Sequence, residues 1–322
     1  MSETILELRN VTKHFPVRGL GQKRFVHAMD DVTFSLNRGE ILSVVGESGS
    51  GKTTTAKVIT RIYESDAGSV MFQGKPVDGK LKHDRLLEYR SQVQMIFQDP
   101  FGALNPTHTI GSIMERPFVI HKLSGRKELE ARIKDVLVQV GMDPPEQYMR
   151  KFPHELSGGQ RQRINIARAI AVDPLLLIAD EPTSMLDVSI KMIIMNMIKR
   201  FRDEKEISYL YITHDLAGAR YIADRIVVMY AGMVMETGPA EGVISDAHHP
   251  YTRLLKSAAP QPEANFSRAR LTTKGDIPSL IDPPSGCRFH PRCPIARSEC
   301  SEHVPEIREV SAGHFSRCPF SS

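Results

Sequence analysis

Hydrophobic and polar positions alternate along much of the first 45 residues. Val32, Phe34 and Leu36 are separated by polar residues, and a period of two is typical of half-buried strands. The run ILSVVG (41–46) is almost entirely apolar until its glycine, which predicts a buried strand that enters a turn. The segment TTTAKVITRIY then predicts a helix over residues 53–63.

The pattern becomes helical between residues 98 and 156, and the stretch 128–141 is a clear amphipathic example. Three further elements are predicted after it: a buried strand at 175–180, a helix near 189–202 and a strand at 208–213. Strands that alternate with helices predict an α/β fold with a parallel sheet and a helical insertion.

Proline punctuates the chain near its end. The stretch 259–284 contains APQPEANF and DIPSLIDPPSG and has no periodicity, so we predict a semi-rigid linker there. The 322 residues then divide into a large domain over 1–258, with a helical subdomain at about 99–170, the linker, and a small extension over 285–322.

Composition adds little to this picture. The net charge of +4 is only mildly basic, and we expect no nucleic-acid partner. No apolar run approaches the roughly 20 residues that a membrane helix needs, and the start MSETILELRN does not resemble a secretory signal. We therefore expect a cytoplasmic protein whose contact with a membrane comes through a partner.

The segment GESGSGKT matches the spacing of a phosphate-binding P-loop. Its backbone N–H groups and the N-terminus of the following helix favour phosphate oxygens. Lys52 is expected to reach the β- and γ-phosphates, and the Thr53 hydroxyl to bind Mg²⁺. The predicted phosphate contacts are Gly46, Ser48, Gly49, Ser50, Gly51, Lys52, Thr53 and Thr54.

The segment LLLIADEP provides two carboxylates at the end of a buried strand, where ligands bind in open α/β sheets. We predict that Asp180 holds Mg²⁺ through water. Glu181 follows it directly and is placed to polarise the attacking water.

These motifs resemble the ATP-binding-cassette (ABC) ATPase family over about residues 5–258. The resemblance implies a RecA-like core with an antiparallel β subdomain and a helical subdomain. LSGGQ resembles the family signature, which contacts the γ-phosphate held by the opposite subunit. Ser157 is expected to cap the following helix. The signature residues predicted to contact ATP are Ser157, Gly158, Gly159 and Gln160.

Four further residues follow from the same resemblance. Gln98 resembles the Q-loop glutamine, which senses Mg²⁺ and the membrane partner. Asp187 closes a D-loop in which Met185 stands where the family usually has alanine, and His214 resembles the switch histidine. Phe15 is the expected aromatic partner of adenine, with Phe25 as the alternative.

The resemblance implies that two cassettes face each other head to tail around two ATP molecules. In this arrangement Glu181 orients water, while Lys52, Mg²⁺ and His214 stabilise charge on the transferred phosphoryl group. One cassette without a long heptad segment or a fused membrane domain favours the ATPase of an importer. A soluble ABC protein outside transport is the alternative.

Further segments resemble the oligopeptide/dipeptide-type importer ATPases. They are QDPFGALNP, ADEPTSMLDVS, HHPYTRLL and the tail GCRFHPRCPIARSEC followed by HFSRCPF. The implied partners are a second ABC ATPase subunit, two transmembrane permeases and, indirectly, an extracytoplasmic solute-binding protein. We expect a heterodimer, with a homodimer as the alternative, at the cytoplasmic face of the cell membrane. Oligosaccharides and nickel are the alternative cargoes.

The four cysteines all lie in the tail, at Cys287, Cys293, Cys300 and Cys318. Clustered cysteines in a reducing cytosol favour metal or redox chemistry over disulfides. No CxxC pair is present, which disfavours a zinc ribbon and the bacterial ferredoxin pattern. A set of four thiolates suits zinc or a [4Fe–4S] cluster. Since the subgroup resemblance implies cluster ligation in some members, we predict a cluster, with zinc or free thiols as alternatives.

Overall fold

The computed structural model describes residues 3–17, 24–123, 125–258, 276 and 278–320. Its strands are β1 (Thr4–Pro16), β2 (Phe25–Asn37), β3 (Ile41–Val45), β4 (Ala67–Phe72), β5 (Lys75–Pro76), β6 (Val93–Ile96), β7 (Leu176–Asp180), β8 (Ser208–Thr213), β9 (Arg225–Tyr230), β10 (Met233–Pro239), β11 (Arg308–Ser311) and β12 (His314–Ser316).

The helices follow the order of the chain. They are α1 (Lys52–Ile59), α2 (His83–Gln92), α3 (Ile110–Ile120), α4 (Arg126–Gln139), α5 (Pro145–Met149), α6 (Gly158–Ile170), α7 (Val188–Lys205), α8 (Leu216–Ile222), α9 (Ala240–Ser245), α10 (Pro250–Ala258) and α11 (Glu299–Glu302). Across the described ranges, none of these helices has the length and apolar character needed to cross a membrane.

The chain forms two compact units. Residues Met1–Gly79 and Tyr211–Ser322 form the first, here called the split unit, and Lys80–Leu210 form the second, the central unit. Strand β8 runs across the boundary along the chain.

An antiparallel sheet occupies the N-terminal part of the split unit, in the order β2-β1-β4-β5. The strands predicted from the alternating pattern are present. Val32 lies opposite Val11 on β1, and both side chains are fully buried. The period of two thus places one face of β1 and β2 in the core.

The second sheet of the split unit includes the tail. β3 pairs in parallel with β9, and β10 pairs antiparallel with β9. β12 then pairs antiparallel with β10, and β11 with β12. The core beneath β9 and β10 contains Tyr230, Tyr251 and Phe289, which are at most 1% exposed. The tail therefore contributes both strands and core side chains.

The central unit combines β6 and β7, which pair in parallel, with a helical region. Helices α3, α4, α5 and α6 pack against one another, and α6 also packs on β6. The amphipathic helix predicted at 128–141 is α4, which begins and ends two residues earlier. The α/β class with a helical insertion is confirmed.

The predicted C-terminal ends of two helices were wrong, and one predicted segment is mostly outside the described residues. The helix expected over 53–63 ends at Ile59, because Arg61 adopts a positive φ of 59° and reverses the chain. The backbone N–H groups of Ile62 and Tyr63 then both donate to the carbonyl of Lys57. Helix α7 extends to Lys205, beyond the expected 202. Most of the predicted linker at 259–284 lies outside the described residues.

Candidate functional site

The P-loop connects β3 to α1 in the split unit, and two of its glycines are sterically required. A Cβ on Gly46 would lie 2.2 Å from the carbonyl oxygen of Met229, and Gly51 has a φ of 100°. Gly51 is also the N-cap of α1 and provides no side-chain cap. The first turn of α1 therefore presents its backbone dipole to the loop, as an anion site requires.

Lys52 lies within this loop and is 5% exposed. Its Nζ donates to the carbonyl oxygens of Gly46 and Glu47 at 2.8 Å each, and to Ser50 Oγ at 3.3 Å. The ammonium group is thus held where the loop glycines turn, which is the position predicted for a phosphate-binding lysine.

The two candidate adenine-stacking aromatics differ in their surroundings. Phe15 is half-buried on β1, makes an edge contact with Tyr63 at a centroid distance of 5.0 Å, and lies 5.4 Å from the Lys13 ammonium. Phe25 is 40% exposed at the start of β2. These surroundings do not decide between the two rings, and Phe15 stays the prediction with Phe25 as the alternative.

His214 directly follows β8 and is exposed. The backbone on its C-terminal side is fixed by its neighbours. Thr213 Oγ1 accepts from the N–H of Asp215, and Asp215 Oδ1 accepts from the N–H of Ala217 at the start of α8. His214 thus stands at a well-defined strand-to-helix junction.

In the central unit, Asp180 ends β7 and is 2% exposed. Glu181 follows with a positive φ of 44°, which is uncommon for a residue with a side chain. Gln98 Nε2 donates to Glu181 Oε2 at 3.1 Å, and the Ser184 hydroxyl donates to the Glu181 carbonyl at 3.0 Å. The structure thus brings together the predicted Q-loop glutamine and the predicted catalytic glutamate.

The signature begins α6 with a reciprocal cap. Ser157 Oγ accepts from the N–H of Gln160, and Gln160 Oε1 accepts from the N–H of Ser157, so the predicted N-cap is confirmed. A Cβ on Gly159 would lie 2.9 Å from Ile190 on α7. Asp187 Oδ1 caps α7 by accepting from the N–H of Ile190 at 3.0 Å. The signature and the D-loop therefore start two helices whose first turns approach each other at Gly159 and Ile190.

The four cysteines line one pocket in the split unit. All four are free thiols; Cys300 and Cys318 are buried, and Cys287 and Cys293 are half-buried. Burial, together with the charges of the other three sulfurs, raises the pKa of Cys287 to about 11. The Cys287 thiol therefore stays protonated at neutral pH unless a cation stabilises its thiolate.

Sulfur spacing and hydrogen bonds bear on the kind of cation. All four cysteines lie within the described ranges, and no three of their sulfur atoms are mutually within 4.8 Å. Around one tetrahedral zinc, sulfurs lie about 3.8 Å apart, since Zn–S bonds are about 2.3 Å. The backbone N–H of Arg297 also donates to Cys300 Sγ at 3.4 Å, as is common around Fe–S clusters. The sulfur atoms are therefore not arranged as around one tetrahedral ion.

Asp30 is an ionic centre that the sequence did not indicate. Its carboxylate is hydrogen-bonded to His14, to His27 and to Arg288 of the tail. Burial raises the pKa of Asp30, but the hydrogen bond from His14 and the charge of Arg288 outweigh this and lower it overall. The positive charge of Arg288 on the Asp30 carboxylate disfavours a divalent cation at this position. The ionic group around Asp30 therefore serves as an anchor for the tail.

Comparisons with known proteins agree with these motifs. The family model described as "ABC transporter" matches residues 29–184. The model described as "Oligopeptide/dipeptide transporter, C-terminal region" matches residues 235–300.

Relatives match along nearly the whole chain. The oligopeptide transport ATP-binding protein AppF of Bacillus subtilis is 43% identical, with 98% of this chain and 97% of the relative covered. A putative peptide import ATP-binding protein of Brucella ovis is 42% identical, with 99% and 98% covered. The putative oligopeptide transport ATP-binding protein YkfD of Bacillus subtilis is 41% identical, with 98% and 94% covered.

Solved structures are similar over the cassette. The dimeric bacterial ABC transporter cassette MJ0796 has a TM-score of 0.65 at 29% identity, covering 73% of this chain and 99% of the other. The same values apply to a dimeric post-hydrolysis state of that cassette bound to ADP and phosphate. With the P-loop, signature and tail in place, the chain belongs to the family of oligopeptide transport ATP-binding proteins, and it is an ABC transporter ATPase.

Proposed function

We propose that this chain hydrolyses ATP to drive the import of oligopeptides or dipeptides across the cell membrane. The observation that carries the proposal is the extent of the match. Relatives named for oligopeptide transport cover 98% of the chain, including the cysteine tail. A cassette with a different task would need to share the nucleotide motifs but not the tail.

The proposed chemistry assigns one task to each predicted site residue of the split unit and of the central unit. Lys52 neutralises phosphate charge and the Thr53 hydroxyl binds Mg²⁺. Asp180 and Gln98 are further Mg²⁺ ligands, directly or through water. Glu181 orients the attacking water, and its contact with Gln98 supports this role because it fixes the carboxylate.

His214 completes the proposed phosphate contacts, and Phe15 stacks on adenine. These two side chains sit on either side of the P-loop in the sequence. A histidine donating to a γ-phosphate oxygen stabilises charge that develops during transfer.

ABC transporter ATPases of this family dimerise and associate with other transporter components. We infer that the signature of one subunit contacts the ATP of the other, through Ser157 and Gly159. Met185 of the D-loop and Val188 after it are 57% and 76% exposed, so both are accessible to a partner subunit. The proposed complex contains a sister cassette, two permeases and a solute-binding protein, with this chain at the cytoplasmic face.

Transport measured in proteoliposomes tests the function. The chain is reconstituted with the permeases and partner cassette that purify with it from gently solubilised membranes, and uptake of a labelled tripeptide, a maltooligosaccharide and Ni²⁺ is compared. ATP-dependent uptake of the peptide alone is expected. Uptake of sugar or nickel instead, or failure to recover any membrane subunit, would contradict the proposal.

We further propose that Cys287, Cys293, Cys300 and Cys318 hold a [4Fe–4S] cluster, which would fix the tail in place. Bound there, a cluster supplies the positive charge that the four thiolates require. The position of all four cysteines around one pocket and the N–H···S bond to Cys300 support it.

Anaerobic purification followed by iron, sulfide and zinc analysis tests the cluster. About four irons and four sulfides per chain, with a broad absorption band near 400 nm, are expected. Stoichiometric zinc, or protein without any metal, would refute it. A Cys318→Ser variant should lose the iron, whereas Ser311→Ala, at an exposed position of the tail, should keep it.

A further inference from the structure

Two side chains from outside the P-loop, Tyr251 and Arg292, bind Glu47. Its backbone N–H donates to Tyr251 Oη at 2.8 Å. Its carboxylate accepts two hydrogen bonds from Arg292, from Nη1 at 2.7 Å and from Nη2 at 3.1 Å. Paired bonds between guanidinium and carboxylate are strong and directional. A single loop residue is thus fixed in both its backbone and its side chain.

Both supports of Glu47 come from segments outside the nucleotide motifs. Tyr251 belongs to HHPYTRLL, and Arg292 directly precedes Cys293 in the tail. These are two of the segments that resemble the peptide-importer subgroup rather than ABC ATPases in general. Their convergence on one P-loop residue indicates a function in that loop.

Arg292 is rigidly placed. It is 9% exposed, and Nη1 also lies 3.2 Å from Tyr230 Oη. Its guanidinium stands over the rings of Tyr230 and Phe289 at 5.6 and 5.9 Å. Tyr230, Tyr251 and Phe289 pack against one another. Because this aromatic base is fully buried, the guanidinium has little freedom to follow a displaced loop.

A second tail arginine supports the loop through the backbone. Arg288, next to Cys287, donates to the carbonyl of Ala231. The adjacent Gly232 N–H donates to the Ser50 carbonyl of the P-loop at 3.0 Å. Both arginines therefore adjoin a cysteine; Arg292 contacts the phosphate-binding loop directly, and Arg288 acts on it through Ala231 and Gly232.

We propose that Arg292 is a positioning residue for the P-loop, which neutralises and fixes Glu47 so that the affinity for ATP depends on the cysteine tail. The inference rests on the proposed use of this loop to bind ATP. An unpaired Glu47 would place a negative charge in a loop that must accept phosphate. The ion pair with Arg292 neutralises that charge and fixes the position of the carboxylate.

The charge argument predicts an unusual mutant pattern. Arg292→Gln leaves Glu47 charged and unpaired, so the dissociation constant for ATP should rise about tenfold. Glu47→Gln removes the charge as well as the pair, and should raise it only about twofold to threefold. The double variant should resemble Glu47→Gln, and thus bind ATP more tightly than Arg292→Gln alone.

The test titrates a fluorescent ATP analogue into the purified chain, with Arg220→Gln as the control. Arg220 pairs with an exposed glutamate, Glu241, at the surface of the same unit, so its variant should bind as the wild type does. Metal content is measured for every variant. Arg292→Lys keeps the charge without the paired geometry and should stay within about threefold of wild type.

The outcomes separate this inference from the proposed function. Wild-type protein that fails to bind the analogue would refute ATP binding itself. Wild-type affinity in Arg292→Gln, or a double variant weaker than both single variants, would overturn the inference. Loss of metal together with affinity in Arg292→Gln would also overturn it, since the arginine would then act through the cysteine site. If Arg292→Gln does not fold, Glu47→Gln still decides the matter, since wild-type affinity in that variant, or a loss well above threefold, would overturn the inference.

Discussion

Glu236 on β10 offers a sharp test of how the tail is attached. Its side chain is fully buried. Its Oε1 accepts from the N–H of His248 at 2.7 Å, and its Oε2 accepts from the N–H of His249 at 2.9 Å. Oε1 is also hydrogen-bonded, at 2.7 Å, to Nε2 of His314, which begins β12. One carboxylate therefore joins the tail to the loop before α10.

Replacing Glu236 with glutamine changes one acceptor oxygen into an NH₂ donor. In the least costly orientation, that NH₂ faces the His249 N–H, and one buried hydrogen bond to a charged acceptor is lost. Such bonds contribute about 1.5–3 kcal/mol, and the orphaned donor adds to the loss. We expect the free energy of unfolding to fall by about 2–3 kcal/mol.

Guanidinium unfolding followed by circular dichroism measures this change. Glu241→Gln is the matched control, because Glu241 pairs with Arg220 at the surface with both side chains more than half exposed. Surface pairs contribute little, so this variant should lose less than about 0.5 kcal/mol. If Glu236→Gln cost no more than Glu241→Gln, the buried carboxylate would not be a significant anchor, and the reasoning would fail.

Three other predictions follow from the site. Glu181→Gln should retain ATP binding and lose about 10²–10⁴-fold in steady-state turnover; hydrolysis near the wild-type rate would contradict its role. Phe15→Ala should weaken binding of ATP more than of inorganic triphosphate, while Phe25→Ala should not, and the reverse result would transfer adenine stacking to Phe25. Burial raises the pKa of Glu236, but bonds from His314 and two backbone N–H groups lower it overall from 4.5. The stability that Glu236 contributes is therefore complete above pH 4.5 and is lost as pH falls below that value. In acid unfolding curves, Glu236→Gln should remove this part of the pH dependence.

Local spacing was enough to predict the parts of the site that fold locally. The P-loop lies between a strand and a helix because its glycines and flanking apolar runs are adjacent in the sequence. Ser157 and Gln160 are three residues apart, which is the spacing of a capping box. The end of α1 was misplaced because TRIY continues an apolar pattern, while the positive φ at Arg61 leaves no signal in that pattern.

The sequence identified the cysteine tail but did not predict where it packs in the fold. Its cysteines predicted a metal site, yet nothing in their spacing indicated that β12 would pair with β10 or that Arg292 would reach Glu47. The two residues are 245 positions apart, and each is an ordinary charged residue in its own segment. Such pairs are set by tertiary packing, which a single sequence does not reveal.

This separation has a consequence for how the protein is made. Glu47 is synthesised early, and the guanidinium that fixes it follows 245 residues later. At about 5–20 residues per second, the interval is roughly 12–50 s. During that time the nascent cassette has its phosphate-binding loop but not Arg292 of the tail. Nucleotide should accordingly bind more weakly to nascent chains that lack the tail than to chains that include it.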